Sequence, residues 1–339
     1  MKFILIFAAT IAGTWLGFTP HPSKKRPVWW IAIALVVILA ATLLTLLPPI
    51  AARPAFVNYL KYNDITKSVA LAGDVRLTDN SGKNATVRSV SIESGGQSTE
   101  VMIPALRPPS EMLEPGPILI RVNIDNGKAY WASTIDDEPW LTYAYVAGLG
   151  EMIRMINLHV PLAWVGVLAY LIAMLYSISY LRKRLIKYDI AASGSAAVGT
   201  FFTIFATITG MIWAEANWGT WWNWDPRETS MFMLLIIYLA YFSLRSAIRS
   251  DIARARLSSV YAIFAFLAVP FLVFVMPRLS SGLHPGSADD SSSGPLLSTG
   301  GGMLDGNLAI AFALSLFGTT LLFFWIYSII LRRKLNPEK

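Results

Sequence analysis

The chain has 339 residues, 55% of them hydrophobic and 14% charged, against about 25% charged in an average soluble domain. That deficit excludes an ordinary soluble protein. The absence of cysteine excludes disulfides, thiolate metal sites and a cysteine nucleophile, and leaves His, Met, Tyr and carboxylates for any metal chemistry.

Runs of about 20 apolar residues read as membrane-crossing helices. The first apolar run, Phe3 to Phe18, is short for a crossing. It reads as a secretory signal peptide or as a short anchor with its N-terminus outside. The anchor is preferred because Lys24, Lys25 and Arg26 must stay inside for the remaining topology to hold. Residues 1–27 are therefore an N-terminal hydrophobic segment with a basic cytoplasmic linker. Residues 28–50 carry the first strong span, Val28 to Leu47.

Residues 54–140 break the hydrophobic pattern, within an insert that spans 51–145. Alternating runs at Val69 to Leu77, Ala85 to Ile92, Glu100 to Ile103, Ile118 to Ile124 and Ala129 to Thr134 predict five short strands. Turn signals separate them at Asp79-Asn80-Ser81-Gly82, Gly95-Gly96 and Asp125-Asn126-Gly127. A small all-β domain follows, either a barrel or a sandwich, and an OB-like barrel is one fold with five strands. It holds no histidine, so it reads as a rigid docking or spacer domain.

Residues 146–335 are predicted to form a five-helix core with spans at Leu158 to Leu181, Ala196 to Trp213, Ser230 to Leu244, Leu257 to Met276 and Leu308 to Leu331. The fold class is thus an all-α polytopic membrane protein with six strong transmembrane helices, a short N-terminal hydrophobic segment and a small all-β extracytoplasmic insert. Lys and Arg beside the spans set the orientation. Alternate connections give one face fifteen basic and three acidic residues, and the other twelve basic and eighteen acidic. The first face is cytoplasmic, so segments 50–157, 214–229 and 277–307 lie outside. The net charge of +7 is a topology signal, and no nucleic-acid partner is expected.

The outer loop 213–229 holds five of the twelve tryptophans, more than an interfacial aromatic belt needs. Trp218, Trp221, Trp222 and Trp224 predict a flat aromatic platform for a large planar ligand. Asp225-Pro226-Arg227-Glu228 has the order of a capping box with proline at the first helical position. Asp225 and Glu228 are therefore expected to serve architecture before ligand contact. Arg227 reads equally as an interfacial arginine or as a partner for a carboxylate such as a haem propionate.

There are three histidines, His21, His159 and His284. Taken alone, His159 and His284 each read as interfacial. Taken together, the topology puts both on the Trp-rich side at similar depth, where two imidazoles can ligate the two faces of one haem iron. His21 falls on the cytoplasmic side. A zinc site would want three or four protein ligands.

Trp218-Gly219-Thr220-Trp221-Trp222-Asn223-Trp224-Asp225, followed by Arg227 and Thr229, resembles the WWD motif of haem-handling proteins in cytochrome c maturation. His159-Val160-Pro161-Leu162-Ala163-Trp164 and Leu283-His284-Pro285-Gly286-Ser287 resemble the motifs around the two external histidines of the CcmC-type family. The three occur in the family's order, over residues 28–50 and 150–335. The resemblance implies haem b, bound non-covalently and transiently, with His159 and His284 as axial iron ligands against the Trp-rich loop. It implies a bacterial inner-membrane location with ABC-type or synthase partner subunits and an extracytoplasmic haem chaperone of OB-like fold. Two features depart from the pattern. The string from Asp225 to Thr229 is closer to a CcsA-type cytochrome c synthase subunit, and the β insert is unusual for CcmC. The insert would then be a docking partner or a fused receiver-like domain, without the histidine such a receiver uses.

The expected function is haem binding and transfer for cytochrome c maturation. The competing readings are a synthase subunit that joins haem vinyl groups to cytochrome thiols, and a haem-free transporter or scaffold. Against the last, no strong span carries a carboxylate at its centre, as a proton-coupled transporter usually would.

Overall fold

A computed structural model describes residues 2–63, 67–76, 87–94, 96–104, 117–137, 139, 141–144, 149–284, 286–289 and 306–335. They form two compact units, one of Leu47–Glu151 and one of Met1–Leu46 with Met152–Lys339.

The helical unit contains α1 (Lys2–Phe18), α2 (Val28–Leu46), α4 (Ile156–Lys183), α5 (Ile186–Trp218), α6 (Pro226–Ala247), α7 (Asp251–Pro270), α8 (Met276–Leu279) and α9 (Gly306–Leu335). Among the described residues, six helices are long and apolar enough to cross a membrane, at the six positions the hydrophobic runs predict. Five of the six begin earlier than expected, α5, α7 and α6 by four residues or more. α5 starts ten residues before Ala196, through the stretch Ala191 to Gly194, which is weakly hydrophobic but buried. Small side chains let backbones approach closely, and that close packing holds helices together in lipid. Ser195 donates from α5 to the Ala169 carbonyl of α4 at 2.7 Å. α6 starts at Pro226 because the capping box supplies its first turn. At their other ends, Arg245 of α6 makes two bonds to Asp189 of α5, at 2.6 and 2.9 Å. Between α7 and α8 the chain makes one π turn, Phe271–Val275, in which the Met276 N–H reaches back to Phe271. Pro277 follows and has no N–H for an α-helical bond, a common cause of such irregularity.

The short α1 is packed within this unit and runs parallel to α9. A Cβ on Gly13 would lie 2.9 Å from Thr320, and one on Gly17 would lie 2.1 Å from Phe324, so only glycines four apart permit the contact. The end of α1 is closed from α2's side. Buried Arg26 donates to the Gly17 carbonyl at 2.6 Å and the Pro20 carbonyl at 2.8 Å, and the Trp30 indole donates to the Leu16 carbonyl at 2.9 Å. A cation and two donors on C-terminal carbonyls suit the helix dipole.

The other unit contains β1 (Ile50–Ala51), α3 (Pro54–Tyr62), β2 (Lys67–Arg76), β3 (Val87–Ser94), β4 (Gln97–Pro104), β5 (Pro117–Asp125), β6 (Lys128–Asp136) and β7 (Tyr143–Ala144). β2 to β6 are the five expected strands. The Asp79–Gly82 turn signal, Gly95 and the strand ends at Leu77 and Ala85 lie outside the described residues. The strands close a barrel in the order β2-β3-β4-β6-β5, antiparallel except for β4 with β6. That is the OB-like arrangement among the options the sequence left open. Alternate residues point inward, so Leu71, Val90, Ile92, Val101, Ile120 and Val122 fill the interior, with Val57 and Leu60 of α3 packed among them. The β5–β6 turn has Asn126 and Gly127 at positive φ, 49° and 71°, as a two-residue type I′ hairpin requires.

Candidate functional site

The site is built where α5 ends and α6 begins. α5 stops at Gly219, whose φ of 73° lets its N–H return to the Glu215 carbonyl. The loop then folds back on the first turn of α6. Glu228 Oε2 accepts the N–H groups of Asn223 at 2.9 Å and Asp225 at 3.3 Å, and Asp225 Oδ1 accepts the Arg227 N–H at 2.8 Å. This is the expected capping box, and it fixes the loop as well as the helix.

Asp225 does more than cap. It is buried, and its oxygens also take the Leu283 N–H at 2.7 Å, the His284 N–H at 3.3 Å and the His284 ring Nδ1 at 2.6 Å. Burial alone would push this carboxyl up. The hydrogen bond and attraction of His284, with the Arg227 and Leu283 N–H groups, outweigh burial and hold it at about 2. The approach is close enough that a Cβ on Gly282 would lie 2.7 Å from Asp225 Oδ2. Ser287 closes the turn, its single O–H lying within 2.9 Å of both the Gly282 and His284 carbonyls. Pro285 and residues 290–305 of the outer loop lie outside the described residues.

His159 is fixed from α5. Its Nδ1 lies 2.9 Å from the Ala206 carbonyl and 3.2 Å from Thr209 Oγ1. Gly210 lies behind the ring, where a Cβ would be 2.9 Å from His159 Cε1. A carbonyl only accepts, so Nδ1 carries the proton and Nε2 keeps its lone pair. The same reasoning applies to His284, because an ionised Asp225 also only accepts. Trp213 stacks on the His284 ring at 5.6 Å, and Trp218 meets its edge at 4.8 Å. Gly210 and Trp213 are three apart and share one face of α5. That face therefore seats both imidazoles, and His284 and Arg227 are near enough to act electrostatically on His159.

The tryptophans do not make one platform. Trp218 joins Trp213 at 4.9 Å around His284. Trp222 and Trp224 pack edge-on at 5.8 Å and share Phe232 of α6. Trp224 sits at φ 56° and is 68% exposed, and Trp221 is exposed as well. Arg227 is half-buried, with the charges of Asp225 and Arg278 as neighbours. His21 lies elsewhere, beside Ser23 and Tyr176.

Sequence reasoning singled out neither Trp213, as distinct from the loop it opens, nor Ala206, Thr209 and Gly210. Their helical spacing was visible, but which face of α5 meets α4 was not. Among the described residues, no group of three or more His, Asp or Glu could hold a bare metal ion. Two imidazoles with available Nε2 atoms suit a metal that brings its other donors with it, as a tetrapyrrole does.

Residues 143–339 match the family described as Heme exporter protein C, CcmC. The chain is 34% identical to heme exporter protein C of Paracoccus denitrificans over 139 residues, 41% of this chain and 58% of that protein. It is 26% identical to that of Bradyrhizobium diazoefficiens over 230 residues, 63% of this chain and 84% of the relative. With that of Escherichia coli K12 it shares 29% over 138 residues, 41% of this chain and 56% of the relative. The aligned part thus spans little more than half of the Paracoccus and Escherichia proteins.

Proposed function

The chain belongs to the heme exporter protein C (CcmC) family, and from that premise we propose that it holds haem b non-covalently between His159 and His284 and passes it on for cytochrome c maturation. One observation carries this reading. Two imidazoles lie against one face of α5, each tied through Nδ1, to Ala206 and to Asp225, with Nε2 left as the ligand atom. Tying the second nitrogen orients a metal-bound histidine and raises its basicity. Trp213 and Trp218 set the His284 ring and offer apolar edges to a planar ligand, and Arg227 offers a guanidinium to a propionate.

In this reading the residues bind and orient, and no bond of the porphyrin changes. Release follows when a partner favours a state from which haem escapes more easily. The partners are an extracytoplasmic haem chaperone and subunits of an ABC-type complex. The site and the β-barrel face the outer side of the bacterial inner membrane, as the Lys and Arg distribution predicts.

The test is the visible spectrum of the detergent-purified chain from haem-replete cells, for wild type, His159→Ala, His284→Ala and His21→Ala. A bis-histidine b-type spectrum that is lost or shifted in the first two variants and kept in the third is expected. A wild-type chain that takes up no added haem would sink the reading and bring the scaffold or transporter reading forward.

A further inference from the structure

α4 and α5 meet along a seam of small residues that ends at His159. A Cβ on Gly166 would lie 2.8 Å from Thr203 Oγ1, and one on Gly199 would lie 2.9 Å from the Ala169 Cβ and 3.1 Å from the Tyr170 ring. At the outer end of the seam Gly210 meets His159 in the same way. Gly166 and Tyr170 lie about two and three turns along α4 from His159, on the face that carries its ring. The contacts step forward along α4 as they step back along α5, so they are rungs of one antiparallel register. A slide at one rung is a slide at His159.

Glycine and alanine let backbones approach closely, but they have no length with which to interlock. Hydrogen bonds must then set the slide. Ser195 supplies one, to the Ala169 carbonyl. Tyr170 reaches further towards His159, with its hydroxyl oxygen 3.2 Å from both Thr200 Oγ1 and Thr203 Oγ1. Each threonine can give its own proton to the carbonyl four residues back, Ala196 at 3.0 Å and Gly199 at 2.9 Å. Their oxygens are thereby left to accept the single Tyr170 proton. Thr203 is about one turn from Ala206, whose carbonyl takes His159 Nδ1 at 2.9 Å. The Tyr170 ring is fully buried and lies face to face with Tyr238 of α6, 3.5 Å between centroids, so packing fixes where the hydroxyl stands.

We propose that Tyr170 is a positioning residue for the ligand histidine on α4, its hydroxyl setting the register of α4 on α5 that places His159 Nδ1 on the Ala206 carbonyl. This rests on the haem reading above and adds to it a residue far from the iron. Tyr170 touches no haem, and it acts through where it holds His159.

The experiment compares wild type, Tyr170→Phe and Tyr327→Phe as full chains in detergent. Tyr170→Phe keeps the ring and its stack and removes only the hydroxyl. Tyr327→Phe removes another buried hydroxyl bonded to α5, at the Ala191 carbonyl 3.1 Å away, and serves as the control for lost stability. Haem affinity is read by Soret titration, and the high-spin share of the ferric spectrum reports haem that has lost a histidine. Tyr170→Phe is expected to lose roughly three- to tenfold in haem affinity, as for one interhelix hydrogen bond in a membrane bundle, and to gain high-spin haem. Tyr327→Phe is expected to match wild type in both. The proposal is overturned, with the haem reading intact, if Tyr170→Phe keeps wild-type affinity, if it loses affinity without gaining high-spin haem, or if Tyr327→Phe changes equally. A wild type that binds no haem overturns both. Should Tyr170→Phe not elute as wild type does, the double variant Thr200→Val, Thr203→Val removes the same bond from the α5 side and is judged by the same two readings.

Discussion

His159 and His284 present the same chemistry from two unlike places. His159 lies within a long helix, and its Nδ1 rests on neutral groups, the Ala206 carbonyl and Thr209 hydroxyl of the neighbouring helix. His284 lies in a loop and hangs from one buried carboxylate, Asp225, which also holds the loop backbone and caps α6. The first imidazole is positioned by helix packing that exists whatever the loops do. The second takes its hydrogen bonds from a single side chain, with Trp213 and Trp218 packed against the ring. A site assembled this way has a wall set by helix packing and a loop wall tied through one carboxylate, and the loop wall is where a bound ligand is most easily let go.

The sharpest way to break this contrast is Asp225→Asn. The loss of a partner behind a metal-bound histidine typically costs about 10–100-fold in affinity. Haem retention measured by Soret titration should fall by that order, with the loss traceable to His284, which Asp225 holds directly. Gly210→Ala probes the other wall. The new methyl meets His159 Cε1 at 2.9 Å, and overpacking of this kind costs about 1–3 kcal/mol. Haem affinity and the thermal midpoint of the helical unit should both drop. An unchanged spectrum would mean that α5 does not press on the ring.

A smaller effect separates the tryptophans. Trp213→Leu removes an aromatic contact worth about 0.5–1.5 kcal/mol, so affinity should fall roughly two- to tenfold. Trp224→Leu, on the exposed pair with Phe232, should leave affinity unchanged in the same titration. Equal losses would restore the single platform that the sequence suggested. The smallest expected change is with pH. The Asp225 carboxyl is held at about 2, below its unfolded value near 3.9. Its contribution is therefore complete above about pH 4 and lost only as pH falls towards 2. Between pH 5 and 8 the retention curves of wild type and Asp225→Asn should run parallel.

Much of this was legible in the sequence because the signals were local. Twenty-residue apolar runs, the Asp125-Asn126-Gly127 turn and the capping box at Asp225 each need only neighbouring residues to be read. Closure of the barrel required pairing β5 with β2 and β4 with β6, which alternation alone leaves open. Asp225 read as a cap because capping is local, whereas its bond to His284 spans 59 residues. Trp213 was visible, but its stacking on His284 depended on the same long-range closure. Trp224 has a left-handed backbone, an unusual conformation for a non-glycine residue, and its pairing with Trp222 beside Phe232 could not be read from spacing.

The parallel seat of α1 on α9 also has a consequence in time. Gly13 and Gly17 meet Thr320 and Phe324. At a synthesis rate of about 5–20 residues per second, roughly 15–60 s separate the emergence of the two surfaces. Through that interval the glycine groove of α1 has no α9 to fill it. Its carbonyl end, however, is already held by Arg26 and Trp30, only 9 and 14 residues further along the chain. Of the described helices, the one that completes the bundle is the last to be made, after every element that positions His159 and His284 has been made.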